Sequence, residues 1–427
     1  MHSGFSNNAH NQLNKYSIHI DVEGINMSKV QENEGLTAVF AEIDKSFGQM
    51  KDWRRYMHQH PELSFKEVHT AKYIEEKLIE FGLEVKTQIG GNGLIGILKG
   101  DKPGKTIALR ADFDALPIED EKDAPYKSTN PGVMHACGHD GHTSALLGTA
   151  LVLSKFRNLI EGKVIFVFQP AEESPPGGAK FMIEEGILDD VDYVFGAHLA
   201  SDIPLGKIGV GAGYQMAAVD KFALHIQGRG GHGARPHQSI DSLVIGTSVV
   251  EGLQKIVSRS VDPLKAAVVT IGVFHAGNAF NIIPDTAKIE GTVRTFDGEV
   301  RDQIEAEINS IVKGITSGFH ADYEIDYLRG YPALYNHKEE TDTVRGLLSK
   351  AFSNEDIIEL EPTMGAEDFS YFLEEKPGTY FRVGSQNENE ATHYPHHHPK
   401  FDFDERALVN ISKSFVKIVS HYLFKGE

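Results

Sequence analysis

Three short apolar runs in this chain each end in side chains able to hold a metal ion, and that recurrence narrows the fold more than any other feature. Thr106-Ile107-Ala108-Leu109 leads through Arg110 to Asp112 and Asp114. Lys163-Val164-Ile165-Phe166-Val167-Phe168 leads to Gln169-Pro170-Ala171-Glu172-Glu173, and Tyr193-Val194-Phe195-Gly196-Ala197 leads to His198. Runs of this length are predicted as buried strands, and the segments between them carry helical patterns. Strands alternating with helices predict an α/β fold, a mostly parallel sheet flanked by helices. The run at Leu94-Ile95-Gly96-Ile97-Leu98 is assigned to the same sheet. In such sheets the functional crevice lies outside the carboxyl ends of the strands, where these polar residues fall.

Between the first two runs lies Met134-His135-Ala136-Cys137-Gly138-His139-Asp140-Gly141-His142, which contains the only cysteine in the chain. Cysteine and histidine are the soft and borderline ligands of zinc and its neighbours. Thr143 to Leu153 reads as a buried helix, so the loop runs into a helix N-terminus that favours a thiolate. A lone Cys or His is most often structural. Three histidines and a cysteine so close together point to metal binding instead. Asp112 could hold a metal, orient a ligand from behind, or serve as a helix cap or surface ion-pair partner. Glu172 and Glu173 are adjacent, so their side chains diverge: one can ligate while the other acts as a general base. A solvated acidic pair is the alternative. His58 and His60, ahead of Pro61, are either a ligand pair or two surface histidines.

With 427 residues the chain has length for two or three domains. A formal charge of −19 excludes an electrostatic nucleic-acid binder and a basic membrane-surface protein. A single cysteine excludes an internal disulfide framework and suits a reducing compartment, the cytoplasm. No apolar run is long enough to span a bilayer. Residues 1–35 are polar and weakly patterned, and are expected to be a flexible leader. From Leu36, apolar residues recur at helical spacing toward His60. Residues 215–330 predict the order βαββαβ, a ferredoxin-like α+β satellite domain inserted between residues 36–214 and 331–427 of a discontinuous catalytic domain. Within the satellite, Gly228-Arg229-Gly230-Gly231-His232-Gly233 formally matches a dinucleotide fingerprint. No helix opens at its third glycine, so it is read as a turn presenting His232. Near the C-terminus, Gly365-Ala366-Glu367-Asp368-Phe369 forms an acidic loop, Gly378 to Gly384 a buried strand, and His396-His397-His398 precedes Pro399 and a last helix. At least one of those three histidines is expected to be functional.

Taken in order, Arg110 to Pro117, the His135–His142 loop, Gln169 to Glu173, Gly231 to His237, Asn281-Ile282-Ile283-Pro284, Gly365 to Phe369 and His397-His398-Pro399 form a specific set. From about residue 36 onward the chain resembles the amidohydrolase branch of the metal-dependent aminoacylase/carboxypeptidase family. That branch contains hippurate hydrolases, indole-3-acetyl-amino-acid hydrolases and N-acetyl-diaminopimelate deacetylases. The resemblance implies two divalent metal ions per chain, zinc first, with manganese, cobalt or nickel as alternatives. It implies Cys137 as a bridging thiolate, with His139, Glu173, His198 and His397 completing the ligand set. It implies Glu172 as general base and acid and Asp112 behind the ligands. His232 is implied to act near a neighbouring active site in a homodimer or higher homo-oligomer joined through the satellite. Asn281 and Arg294 are implied on the substrate side. The expected activity is cleavage of an N-acyl amino acid by water activated at the metals. A dipeptidase or carboxypeptidase, or a non-catalytic binding protein on the same fold, is the alternative.

Overall fold

The computed structural model describes residues 22–424. The flexible leader predicted from sequence lies outside these for residues 1–21, while the first helix, Val22–Gln59, begins well upstream of the Leu36 start that the periodicity gives.

Eight strands form the main sheet, in the order Glu84–Ile89, Gly93–Lys99, Glu161–Gln169, Lys102–Asp112, Tyr193–Pro204, Gly378–Gln386, Ile208–Val210 and Ile357–Glu359. The four in the middle are mutually parallel. The strand at Leu94 belongs to this sheet, as expected, and runs antiparallel to Glu161–Gln169. Only Gly100 and Asp101 separate it from the next strand, and a parallel return needs a crossover of a dozen residues or more.

The central strands are buried on both faces, which explains their unbroken apolar sequence. Phe166 and Phe168 face a core built with Val39, Ile43, Leu146, Leu147, Ile411 and Phe415 from the helices Val22–Gln59, His139–Lys155 and Ala407–Leu423. Ile165 and Val167 face the other side, against Met182, Phe369 and Phe372 from the short helices Gly178–Glu184 and Phe369–Glu375. Fully burying each such phenylalanine contributes about 1.5–3 kcal/mol.

The inserted unit has the strand order Ala267–Ala276, Thr286–Thr295, Ala218–Gln227, Asp322–Arg329, all antiparallel. That is the ferredoxin-like arrangement of a βαββαβ chain. Its helices, Ser242–Lys255 and Gly298–Gly318, begin at Asp241 and Asp297, whose carboxylates accept the first free backbone N–H groups. They cover one sheet face through Val249, Leu253, Ile304 and Ile308. On the strand Ala218–Gln227 burial alternates, so Phe222, Leu224 and Ile226 point into that core and their neighbours point away. The chain enters and leaves the insertion side by side: Val219 N–H donates to Tyr331 O at 3.1 Å and Gly330 N–H to Val219 O at 2.9 Å.

Candidate metal centre

The carboxyl ends of the parallel strands meet the helix His139–Lys155 at its first turn. Gly138 precedes that helix with φ +95°, a conformation that side chains disfavour, and its turn sets Cys137 and His139 toward one point. Cys137 Sγ lies 3.5 Å from His198 Nε2. His198 donates from Nδ1 to the Leu199 carbonyl at 2.5 Å, which leaves the Nε2 lone pair free. His139 likewise donates from Nδ1 to the Asp114 carbonyl at 3.0 Å. Its Nε2 is buried without a hydrogen-bond partner, 3.9 Å from both Glu172 Oε2 and Glu173 Oε1.

Of the three consecutive histidines, only His397 reaches this group. Its backbone is left-handed at φ +66°, and its N–H donates to Ala136 O at 2.8 Å, beside Cys137. Its Nε2 comes within 3.1 Å of Glu173 Oε1. His396 turns toward Ser201 and packs against the Phe401 ring, while His398 accepts from Lys400 N–H. Two of the compact donor groups contain Cys137: Cys137, His139 and His198, and Cys137, Glu173 and His397. They share Cys137 alone.

Charge and burial fit this donor set to cations. Burial pushes the Cys137 thiol well above its usual range, and Glu173, Glu172 and Asp112 push it further. Burial likewise raises the Glu172 carboxyl, reinforced by Glu367, Glu173 and Asp368. A half-buried thiol, a buried imidazole nitrogen without a partner and two carboxylates in one place is the composition that divalent metal ions stabilise.

Asp114, rather than Asp112, supports the centre most directly. Its carboxylate accepts His139 Nδ1–H at 3.2 Å, Glu172 N–H at 3.1 Å, Glu173 N–H at 3.0 Å and the Ser64 hydroxyl at 2.7 Å. One side chain thus orients a donor and fixes the backbone of the glutamate pair. Asp112 sits 3.7 Å from His139 Nε2, but its hydrogen bonds go to Arg110 at 2.6 Å and His142 Nδ1 at 2.6 Å. The i, i+2 carboxylates at a strand end were the signal for both, and periodicity alone does not say which one faces His139. Asp114→Asn is expected to weaken metal affinity about 10–100-fold, read by metal titration of the purified protein.

His142 and His58 spend both ring nitrogens on other contacts, whereas both ring nitrogens of His135 are buried without a hydrogen-bond partner. His142 accepts Leu199 N–H on Nε2 at 2.9 Å, so both ring nitrogens are used. His58 is buried between Asp140, at 2.7 Å, and Asp120, at 3.3 Å, and His60 is exposed beside the Tyr56 ring. Asp140 also binds the buried Arg54, which reaches Asp402 and Glu405 as well. That cluster locks the first helix to the metal-loop helix and to the C-terminal segment.

Glu67 holds two strained positions together. Phe65 and Ala171 both have left-handed backbones, and Glu67 Oε1 accepts both of their N–H groups at 2.9 Å. Outside glycine such a conformation costs about 1–2 kcal/mol. Burial, with Asp114 nearby, raises the Glu67 carboxyl from 4.5 to about 7. The unfolded chain therefore loses this proton at lower pH than the folded one, and the contribution to stability is lost as pH rises from 4.5 to about 7. Glu67→Gln should gain thermal stability relative to the natural protein across that window, measured as the difference in Tm at each pH.

A cavity of about 570 Å³ opens over the donors, lined by Cys137, Glu172, Glu173, His198 and His397. Its walls include Pro175, Leu199, Met216, Val219 and Tyr331, together with Arg294 from the inserted domain. Tyr331 donates its hydroxyl to the Glu172 carbonyl at 2.5 Å, a contact with no sequence signal. His232 and Asn281 lie elsewhere, lining a separate groove of the inserted domain with Gly277 and Asp285. Both are exposed, next to a fully exposed Phe280.

Residues 108–421 match the model of peptidase family M20/M25/M40. The N-acyl-L-amino acid amidohydrolase of Geobacillus stearothermophilus is 49% identical over 287 residues, covering 67% of this chain and 78% of that one. Thermostable carboxypeptidase 1 of Saccharolobus solfataricus is 43% identical over 367 residues, covering 84% of this chain and 93% of the other. The crystal structure of the YXEP protein of Bacillus subtilis, described as a dinuclear metal binding peptidase, superposes with a TM-score of 0.75 at 36% identity, covering 89% of this chain and 99% of that one.

Proposed function

The chain belongs to peptidase family M20/M25/M40, and from that membership we propose that it is a two-metal amidohydrolase that removes the acyl group from N-acyl amino acids. The observation that carries this reading is the pair of donor groups that share Cys137 beside Glu172. Cys137, His139 and His198 would hold one ion and Cys137, Glu173 and His397 the other, with zinc preferred by the thiolate and manganese, cobalt or nickel admissible. When bound, the ions lower the pKa of water and polarise the amide carbonyl.

The chain's own residues do the rest. Glu172 accepts the proton released as water adds to the carbonyl carbon. It then donates that proton to the leaving amine nitrogen as the carbon–nitrogen bond breaks, yielding a carboxylic acid and a free amino acid. Asp114 and Tyr331 hold the Glu172 backbone from opposite sides, through its N–H and its carbonyl. Arg294 faces the cavity and supplies a guanidinium for the substrate carboxylate.

The inserted domain joins two copies in this reading. Within one chain His232 and Asn281 stand apart from the donors, so His232 serves the active site of a partner copy. Mixed dimers of a His232→Ala chain and a Glu172→Gln chain should regain activity that neither homodimer has. Among the described residues no helix is long and apolar enough to cross a membrane, and we place the enzyme in the cytoplasm.

The test is metal analysis of the purified protein coupled to turnover of N-acetyl, N-benzoyl and indole-acetyl amino acids beside dipeptides. Hydrolysis of the acylated amino acids that a chelator abolishes and zinc or manganese restores supports the assignment. Preferential cleavage of dipeptides shifts it to the peptidase reading, which the relative named as a carboxypeptidase favours.

A further inference from the structure

We propose that Arg382 is a specificity determinant, and that the preferred substrate carries a second carboxylate in addition to that of the amino acid. This rests on the amidohydrolase reading above and names its substrate class more narrowly.

The strand Gly378–Gln386 lies inside the main sheet, and its only charged residue is Arg382. On one side Arg382 is in register with His198, a proposed ligand, and on the other with Gly209. Its side chain lines the same cavity as Cys137, His198 and Arg294.

This chain neutralises its most buried guanidinium groups, and those of Arg382 and Arg294 are half-buried. Arg54 meets Asp140, Asp402 and Glu405. Arg110 meets Asp112, Glu367 and Asp368. Arg301 meets Asp220. The two arginines of the cavity break this pattern. Arg294 has a buried Nη1 with no hydrogen-bond partner. Among the described residues the Arg382 side chain has neither a hydrogen bond nor an ion pair. Asp202 is on the same wall but is exposed and makes no ion pair with it.

Arg382 also stands among groups that repel it. It lines the cavity beside the imidazoles of His198, His396 and His397, and cations held by Cys137 and His198 would repel it. A cation in such a place is stabilised when the occupant of the cavity brings an anion, and a guanidinium binds a carboxylate through two parallel N–H groups.

An ordinary N-acyl amino acid has one carboxylate, which one guanidinium satisfies. Arg294 reaches the cavity from the inserted domain and Arg382 from the catalytic sheet, so two anionic groups on one substrate match the two arginines. The second carboxylate can belong to the amino-acid side chain, as in an N-acyl glutamate or aspartate. It can equally belong to the acyl group, as in an N-succinyl amino acid.

Steady-state kinetics of the metal-loaded enzyme on near-isosteric pairs test this. N-acetylglutamate is compared with N-acetylglutamine, and N-succinylalanine with its N-succinamoyl amide. In the natural protein kcat/KM should favour the charged member of at least one pair by about tenfold or more, and which pair does so locates the second carboxylate. Arg382→Gln should collapse that ratio mainly through KM, and Arg382→Lys should restore part of it. Neutral members favoured in both pairs, or a ratio unchanged by Arg382→Gln, overturn the proposal while leaving the amidohydrolase reading intact. A merely structural effect lowers both members together and also counts against it. No turnover of any acylated amino acid overturns the underlying reading, and this inference with it.

Discussion

Glu172→Gln is expected to keep the fold and the metal content and to lower kcat by about 10²–10⁴-fold. The carboxamide preserves the shape of the side chain and leaves the backbone contacts with Asp114 and Tyr331 untouched. Neither donor group that shares Cys137 includes Glu172, so both ligand sets survive the change. What is lost is the ability to take a proton and return it. Metal analysis alongside turnover on the best acylated amino acid separates the two effects. Full activity in the variant would remove Glu172 from the reaction, and loss of metal would make it a ligand instead.

The second large effect falls on stability. Arg110→Met should destabilise the protein by about 3–5 kcal/mol, because it leaves buried carboxylates without a counter-charge. The guanidinium makes four hydrogen bonds: Nε donates to Gln169 at 2.8 Å, Nη1 to Asp112 at 2.6 Å, and Nη2 to Glu367 at 3.0 Å and Asp368 at 2.8 Å. Burial opposes charge on Asp112, but Arg110, with His139 and His142, holds its carboxyl well below the usual range. Without Arg110 the acidic cluster gains protons or moves apart, and Asp112 loosens its hold on His142. Arg110→Lys should recover only part of the loss, since a point charge cannot reach four acceptors in a fixed fork. Urea unfolding of the three proteins under one set of conditions measures the order.

These two residues also mark what can and cannot be read from sequence here. The parallel core is visible because strands buried on both faces must be apolar throughout, and the residues that break each run fall at its carboxyl end. The inserted domain is visible because alternation and helical periodicity succeed one another in the order βαββαβ. Strand direction is another matter: the run at Leu94 is as apolar as its neighbours, and only the length of its connection reveals that it is reversed. The strands Ile208–Val210 and Ile357–Glu359 are too short to leave a pattern. At the site, residue type and spacing single out Cys137, His139 and the glutamate pair. The roles of Asp114 and Tyr331 come from the angles at which distant segments meet, which a linear pattern does not encode. His232 and Asn281 line a groove away from the donors, a separation that a linear pattern does not encode either.

The position of the strand Gly378–Gln386 has a consequence for how the protein is made. It lies between Tyr193–Pro204 and Ile208–Val210, strands the ribosome delivers far earlier. Until it arrives, Tyr193–Pro204 presents an open edge in the middle of what will become the sheet. The inserted domain is translated during that wait. Its own core and complete antiparallel sheet allow it to form while the catalytic half is still unfinished. His397 emerges later still, so a nascent chain cannot complete the donor set that shares Cys137 until nearly all of it has been synthesised.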